Sequence, residues 1–451
     1  MSQRDSGMTV PRTICLGFIG AIAIGAILLW LPFSTADGTW SDPITALFTA
    51  TSATCVTGLI VVDTGSYYSR FGQLIILLLI QVGGLGYMSA TTFLLLLVGR
   101  KFRLREKLAI QQSLDTPGLS GVVQLVKSII ATTLLFELTG VFLLLLEFRQ
   151  RFSGSQAIWQ SIFHSISAFN NAGFSLFSNS LMGDARSPLL NLVITVLIIF
   201  GGIGYQTIMN IYAFGRDRLF KNAQRFRPSL HFRITLSTTV VLLLLGTIAF
   251  YSTEFSNPNT LGRFAWNSKL LAAWFQSVTT RTAGFNTIDT GTMTTAGLFI
   301  TIAFMFVGAS PGSTGGGIKT TTLRVLVSCT KSVLQGRDEV LCYQRQIPVE
   351  LVMKSVGVVV GSVVTVIIAT ILVALSDPQL EFIQILFEVV SAFATVGLSM
   401  GITAQLSVWG KLIIIATMYI GRVGVLLLMS ALLGDPSPSL VDYPEEDLLI
   451  G

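Results

Sequence analysis

The sequence contains little charge. Asp, Glu, Lys and Arg make up only 12% of its 451 residues, about half of the share found in soluble domains, whereas 51% of the residues are hydrophobic. The mean hydropathy is +0.72. The formal net charge is +6, but the basic residues fall in loops between apolar runs, so we expect no nucleic-acid partner. This composition predicts an integral membrane protein with many helices in the lipid bilayer.

Histidine and cysteine are scarce as well. The two histidines and four cysteines lie far apart, which excludes a disulfide framework and a metal site other than one for a transported ion. No set of acid and base side chains recurs at one membrane depth, so we expect no enzyme. The longest stretch that we expect on the cytoplasmic side, about 320–350, is too short for a nucleotide-binding domain of about 100 residues. No organic cofactor is therefore expected in this chain.

Eight apolar runs are long enough to cross a bilayer, which takes about 20 residues. They occupy 14–33, 72–98, 128–148, 190–213, 233–251, 297–311, 351–375 and 410–433. The sixth is the shortest. The first is too long for a cleaved signal peptide and no small-residue cleavage site follows it, so it predicts a transmembrane helix.

A shorter segment lies inside each pair of runs and ends in a glycine turn. The four segments read "ALFTATSATCVTGL", "SIFHSISAFNNAGF", "AAWFQSVTTRTAGF" and "ILFEVVSAFATVGL". Their glycines, Gly58, Gly173, Gly284 and Gly397, are separated by 115, 111 and 113 residues. A near-constant period predicts an internal repeat. The expected fold is an all-α membrane protein of four tandem helix–pore loop–helix repeats, with eight transmembrane helices and four re-entrant half-helices around a central pore.

The expected boundaries follow from this period. The repeats are predicted at 1–107, 108–227, 228–345 and 346–434, followed by a tail at 435–451. The connections between repeats are basic, as in "GRKFRLREK" at 99–107 and "GRDRLFKNAQRFR" at 215–227. The positive-inside rule puts these connections and both termini in the cytoplasm, so the glycine loops enter from outside.

Four equivalent loops at membrane depth indicate a pore. Irregular backbone in the bilayer is tolerated where protein buries it or where it lines a watery cavity, and loops that meet on one axis satisfy this together. Their carbonyls can then replace the hydration shell of a cation. The structural alternative is that these small residues only allow helices to pack closely. The predicted selectivity filter comprises Val56, Thr57, Gly58, Asn171, Ala172, Gly173, Thr282, Ala283, Gly284, Thr395, Val396 and Gly397.

The motifs "TATSATCVTGL", "SAFNNAGF", "VTTRTAGFNT", "SAFATVGLS" and "PGSTGGGIKTTT" resemble those of the Trk/Ktr/HKT superfamily of cation transporters, most closely its bacterial Ktr branch. The resemblance covers nearly the whole chain. It implies a K⁺-selective pore with K⁺ in the filter, Na⁺ as an activator, a homodimer in the bacterial plasma membrane, and a cytosolic ring of KtrA-like, RCK-type nucleotide-binding subunits. Plant relatives that prefer sodium have serine in the first loop, and here all four positions are glycine. A Na⁺/K⁺ symporter or a less selective monovalent cation transporter of the same superfamily is the alternative.

The stretch "FVGASPGSTGGGIK" (306–319) contains many glycines in a spanning run. It is similar to a phosphate-binding Walker loop, but no strand precedes it. The resemblance implies an intramembrane gating loop below the filter instead, and a Pro-kinked helix is the structural alternative. The predicted gate comprises Gly312, Ser313, Thr314, Gly315, Gly316, Gly317, Lys319 and Arg422.

Charged residues inside the apolar segments are candidates for function, because a charge in the bilayer is costly. Arg422 is expected to lie against the loop at 312–317, either as part of the gate or as a structural group bonded to loop carbonyls. Arg281, three residues before Gly284, is expected to turn away from the pore and to pair with Asp289 or Glu388. Glu137 is expected to make a hydrogen bond that packs helices.

Overall fold

The protein is all-α, as the sequence predicts. The computed structural model describes residues 9–86, 122–219 and 228–434. The first two units contain α1 (Val10–Trp30), α2 (Pro43–Thr54), α3 (Thr64–Tyr67), α4 (Arg70–Leu85), α5 (Val122–Phe148), α6 (Gly154–Phe169), α7 (Pro188–Ile203) and α8 (Tyr205–Leu219). The last two contain α9 (Leu230–Glu254), α10 (Trp266–Thr279), α11 (Thr295–Phe306), α12 (Thr320–Leu334), α13 (Val349–Ser376), α14 (Phe382–Phe393), α15 (Val408–Val423) and α16 (Val425–Leu433). A hairpin of β1 (Leu341–Cys342) and β2 (Arg345–Gln346) follows α12.

Each unit begins with a long apolar helix. In the described part of the chain, four helices are long and apolar enough by themselves to cross a membrane: 10–30, 126–148, 230–254 and 349–376. They are α1, α5, α9 and α13, with lengths between 21 and 28 residues over these ranges. Their outward faces carry exposed apolar side chains such as Ile24, Leu138, Ile248 and Val360, as expected for contact with lipid acyl chains.

The second predicted span of each unit is broken. Gly86, Gly204 and Gly424 end α4, α7 and α15 with φ of 79°, 88° and 89°, a left-handed conformation that glycine adopts readily. At Gly204 and Gly424 the helix axis bends by 106° and 94°. The predicted runs at 190–213 and 410–433 are therefore bent pairs rather than single helices. They bring the number of candidate spans among the described residues to at most six.

A short helix precedes each glycine loop. These pore helices are α2, α6, α10 and α14, and they end at Thr54, Phe169, Thr279 and Phe393. Their starts are fixed by local sequence: Asp42 caps α2 through a 2.9 Å hydrogen bond from the Thr45 amide, and Pro43 occupies the first turn. Each helix aims its carboxyl end, which carries partial negative charge, toward the loop that follows.

The units are arranged in a closed ring. The second helix of each unit packs against the pore helix of the next: α4 against α6, α7 against α10, α11 against α14, and α15 back against α2. This cyclic packing puts the four glycine loops on one axis. Residues 435–451, the basic loop at 99–107 and most of the loop at 215–227 lie outside the described residues, so the predictions made for these segments stay predictions.

Candidate functional site

The four loop glycines meet each other. A Cβ atom added to any of them would collide with the carbonyl oxygen of the next loop and come within 3.0–3.2 Å of that loop's glycine Cα. The contacts run Gly58 to Ala172, Gly173 to Ala283, Gly284 to Val396, and Gly397 to Thr57. The glycines have φ between 69° and 91°. A closed ring of backbone contacts therefore surrounds the axis, and no side chain fits between the loops.

A second ring lies two residues before the glycines. Val56, Asn171, Thr282 and Thr395 all have positive φ, of 56°, 57°, 71° and 52°. Asparagine tolerates this region, but β-branched valine and threonine are outliers there. Such strain costs about 1–3 kcal/mol per residue and persists where the surroundings enforce it, most often at functional sites. All four side chains are buried.

The loop carbonyls accept no hydrogen bond from the residues that the structure describes. The twelve residues of the predicted filter supply twelve backbone carbonyl oxygens, and none of them accepts a hydrogen bond from the described parts of the chain. Ten of the twelve residues are buried, and Gly173 and Gly397 are half-buried. Buried carbonyls nearly always have a partner. A ring of such oxygens with no protein donor is an arrangement that can bind a dehydrated cation.

Hydroxyl groups of the pore helices hold the loops in shape. Ser52 and Ser391 accept hydrogen bonds of 3.1 Å from the amides of Gly58 and Gly397. In the other two units Ser167 and Thr279 donate to the carbonyls of Phe174 and Phe285, which follow the glycines, at 2.7 and 2.8 Å. These bonds tie each loop to its own pore helix and leave the filter carbonyls unused.

Three glycines of the second helices also support the site, and the sequence reasoning did not single them out. Gly83, Gly201 and Gly421 lie so close to the last carbonyls of the pore helices that an added Cβ would overlap them. The carbonyls belong to Thr54, Phe169 and Phe393. The signal was present in the clusters "VGGLG", "FGGIG" and "IGRVG", because only glycine allows this approach.

The stretch predicted as a gate lies directly below the filter. After α11 the chain leaves the helix, forms a bridge between Val307 and Ile318, and starts α12 at Thr320. No strand–loop–helix unit of a nucleotide site is formed. The Gly316 amide donates to the Thr395 hydroxyl at 3.0 Å, and the Thr314 amide donates to the Gly201 carbonyl at 3.2 Å. The loop therefore touches the second ring of the filter itself.

Two cationic side chains bind the loop from below. Arg422, at the end of α15, donates to the carbonyls of Thr314 and Gly83. Lys319 donates from Nζ to the carbonyl of Gly315 at 2.7 Å. Gly312 and Gly317 have φ of 66° and 67°, which lets the loop turn at both ends. The predicted gate residues thus form one contiguous group, with two positive charges just under the filter.

Cavities lie on both sides of the filter. An outer cavity of about 390 Å³ is lined by all four loop glycines, together with Asp63, Ser175 and Ser399 among others. An inner cavity of about 660 Å³ is lined by residues 311–315 of the loop and by Lys319, Lys354 and Arg422. Spaces large enough for many water molecules therefore lie on the outer side of the loop glycines and beside residues 311–315.

Behind the filter, buried polar side chains form separate networks. Glu137 accepts from Gln81 Nε2 at 2.9 Å and from Asn170 Nδ2 at 3.0 Å, which confirms the predicted helix-packing role. His164 lies 3.0 Å from Ser175 Oγ, and Glu388 accepts from Ser399 Oγ at 2.7 Å. In both cases a pore-helix side chain holds the hydroxyl two residues after the glycine.

The predicted ion pair of Arg281 is wrong in the described part of the chain. Arg281 is only 7% exposed, and its Nε has no hydrogen-bond partner there. Asp289 instead accepts from the Gly291 amide at 3.0 Å, and Glu388 is engaged by hydroxyl groups. Arg281 borders a small space of about 10 Å³ together with Thr239 and Ala309. Arg281 therefore borders a different part of the protein from the outer loop with Asp289 and from Glu388 on α14.

Comparison with known proteins gives a consistent result. The family model for TrkH, described as a cation transport protein, matches residues 18–443. The chain is 40% identical over 444 residues to the Ktr system potassium uptake protein B of Bacillus subtilis, covering 98% of this chain and 97% of that protein. It is 36% identical over 445 residues to the potassium/sodium uptake protein NtpJ of Enterococcus hirae, covering 98% and 97%.

A solved structure has the same fold. The crystal structure of the potassium transporter TrkH from Vibrio parahaemolyticus superposes with a TM-score of 0.74, covering 97% of this chain and 87% of that one at 18% identity. With its apolar helices and re-entrant loops, the protein is a multi-pass membrane protein. The chain belongs to the TrkH family of cation transport proteins.

Proposed function

We propose that this protein is the K⁺-selective, ion-translocating subunit of a bacterial potassium uptake system. The observation that carries the proposal is the ring of twelve loop carbonyl oxygens, ten of them in buried residues, that accept no hydrogen bond from the described residues. K⁺ is larger than Na⁺ and loses its hydration shell at lower cost, and carbonyl oxygens around an axis replace that shell. Glycine at all four loop positions, and the names of relatives that take up potassium, support K⁺ as the cargo.

The path of the ion follows the two cavities. K⁺ enters the outer cavity, loses its water at the ring of glycines, and passes to the inner cavity. The carboxyl ends of four pore helices lower its energy below the filter. The segment 312–317, with Lys319 and Arg422, is the gate: it fills the space under the filter and must move aside for flux. Transport needs no covalent chemistry, no organic cofactor and no metal apart from the transported ion, so the protein acts as a transporter rather than an enzyme.

Regulation and assembly complete the proposal. The chain works as a homodimer in the bacterial plasma membrane, with both termini in the cytoplasm and the repeats at 1–107, 108–227, 228–345 and 346–434. A cytosolic ring of RCK-type nucleotide-binding subunits moves the gate from the inner side, and Na⁺ activates transport. The support for a partner is the Ktr system in which relatives are named.

A second candidate is a Na⁺/K⁺ symporter or a less selective monovalent cation transporter. The relative named as a potassium/sodium uptake protein favours it. The four units face one axis in the same orientation, which favours a pore over the two inverted repeats typical of coupled symporters.

The test is ion flux in liposomes that contain the purified full-length protein. We expect ⁸⁶Rb⁺ uptake that K⁺ competes strongly and Na⁺ weakly, and currents that reverse near the K⁺ equilibrium potential. Uptake of Na⁺ and K⁺ in a fixed ratio, with a reversal potential that depends on both gradients, would instead support the symporter. Absence of any Rb⁺ uptake, with and without a regulatory ring, would contradict both.

A further inference from the structure

The gating loop is attached to the filter, not only to the cavity wall. Of its contacts, the one to Thr395 is a buried hydrogen bond of 3.0 Å from the Gly316 amide. Gly315 and Gly316 also pack so tightly on the hydroxyls of Thr282 and Thr395 that a Cβ on either glycine would overlap them. Any movement of the loop away from the axis therefore uncovers two hydroxyl groups of the filter's second ring.

These hydroxyls lie where a cation leaving the filter arrives. Thr282 and Thr395 belong to neighbouring units, and the Thr282 hydroxyl donates to the side-chain amide oxygen of Asn171 at 3.2 Å. Threonine occupies both positions although φ of 71° and 52° is strained for a β-branched residue. Val56 has the same strained conformation without a hydroxyl. A β-branched side chain therefore fits this position with or without a hydroxyl. The two units that the loop covers differ from the first unit in carrying that hydroxyl.

We propose that Thr282 and Thr395 form, with the carbonyls above them, a binding site for a dehydrated K⁺ ion that is complete only when the loop leaves. This inference rests on the proposed function. In the closed state the Gly316 N–H occupies Thr395 Oγ1, and Gly315 and Gly316 fill the space below. The charges of Lys319 and Arg422, which hold the carbonyls of the same loop, oppose a cation there.

The loop and the K⁺ ion compete for the same oxygen, Thr395 Oγ1, so each lowers the occupancy of the other. If the loop excludes K⁺ from this site, then K⁺ in the site must lower the population of the closed loop by the same factor. A Na⁺ ion, which fits the wider K⁺ site poorly, should do so less. The transported ion itself therefore biases the gate, in addition to any cytosolic partner.

The experiment measures the position of the loop in the full-length protein in nanodiscs. Thr314 is 8% exposed, so Thr314→Cys reports opening through its rate of maleimide labelling, after subtraction of the parent protein. K⁺ and Na⁺ are compared at constant ionic strength. We expect K⁺ to raise the labelling rate about three- to tenfold over Na⁺, the scale of one hydrogen bond gained or lost.

Variants separate the hydroxyl from the fold. Thr395→Val, for which Val56 is the precedent in this chain, should raise labelling in Na⁺ to the level seen in K⁺ and remove the difference between the ions. Thr370→Val is the matched control, because Thr370 is a buried threonine on α13 whose hydroxyl has no partner among the described residues. It should label like the parent in both ions.

Two outcomes would overturn the proposal: equal labelling in K⁺ and Na⁺, or a K⁺ effect that persists in Thr395→Val. Rb⁺ flux measured on the same preparations keeps the two hypotheses apart. If Rb⁺ flux is present but the labelling rate is the same in K⁺ and Na⁺, only the proposed site at the second ring is refuted. No flux in any condition refutes the proposed function, and with it this inference.

Discussion

Replacing Gly58 by serine tests the filter at its tightest point. Gly58 has φ of 91°, and a Cβ there would collide with the Ala172 carbonyl and lie 3.1 Å from the Gly173 Cα. The unfavourable backbone conformation costs about 1–3 kcal/mol for a residue with a side chain. Relief of this strain has to move the first or second loop outward, because glycine and carbonyl are in direct contact. The oxygen cage then no longer fits K⁺.

The size of the effect follows from the strain. If the whole 1–3 kcal/mol falls on the K⁺ position, the preference for K⁺ over Na⁺ drops about five- to 150-fold. The assay is ⁸⁶Rb⁺ and ²²Na⁺ uptake by the same liposomes. Gly38→Ser is the control, since Gly38 also has positive φ, 72°, but its Cβ would meet nothing within 4 Å. An unchanged ion ratio in folded Gly58→Ser, or an equal drop in Gly38→Ser, would refute the reasoning.

Three further changes address the gate, the helix packing and the buried carboxylate. Deletion of Ser313–Gly316 should raise ⁸⁶Rb⁺ flux in the absence of any partner, and flux that stays low would remove the gate assignment. Gly421→Ala should lower the melting temperature of the purified protein by several degrees, since its methyl overlaps a pore-helix carbonyl, whereas Gly20→Ala has free space and should not. Glu137→Leu removes the acceptor of Gln81 Nε2, whereas Asn170 Nδ2 still reaches Gln81 Oε1 and the Ile166 carbonyl, so the change should cost about 1–3 kcal/mol of stability. Glu137→Gln should cost less, and equal melting temperatures would contradict this.

The loops could be predicted from the sequence because their physical requirement is local. A turn with positive φ at a crowded axis admits only glycine, and the same requirement recurs in each unit. The sequence pattern can therefore be recognised in all four units, although the rest of each segment differs. Its glycines are Gly58, Gly173, Gly284 and Gly397. The hydroxyl groups that support the loops are less visible, since Ser52 and Ser391 share a position whereas the third unit uses Thr279, one residue further along.

The breaks in the second helices could not be predicted in the same way. Hydropathy sums composition, and a run such as 190–213 is apolar on both sides of Gly204. The hydropathy of the run gives no information on backbone angles, so it does not predict that Gly204 has φ of 88° or that the helix axis bends by 106° there. The environment of Arg281 was missed for a related reason. Arg281 lies beside Thr239 and Ala309, because tertiary packing, which the sequence does not show, decides which groups a side chain meets.

Under the proposed function, the glycine-rich stretch at 312–317 lets one chain combine a fourfold filter with a single gate. Its likeness to a phosphate-binding loop comes from a shared need for close backbone approach, met here by the carbonyls and hydroxyls of the filter rather than by a nucleotide. In the third unit this loop replaces the last turn of the second helix: α11 has only 12 residues, whereas α4, α7 and α15 have 16. A pore of four identical chains would carry four such loops on one axis, where one already fills the space. Because the units are covalently linked, the second helices of three units can hold the filter while the third unit supplies the proposed gate. The Arg422 side chain of the fourth unit contacts both that loop and Gly83 of the first unit. If the proposed function is correct, the symmetry of the filter and the asymmetry of the gate are both consequences of the same repeat.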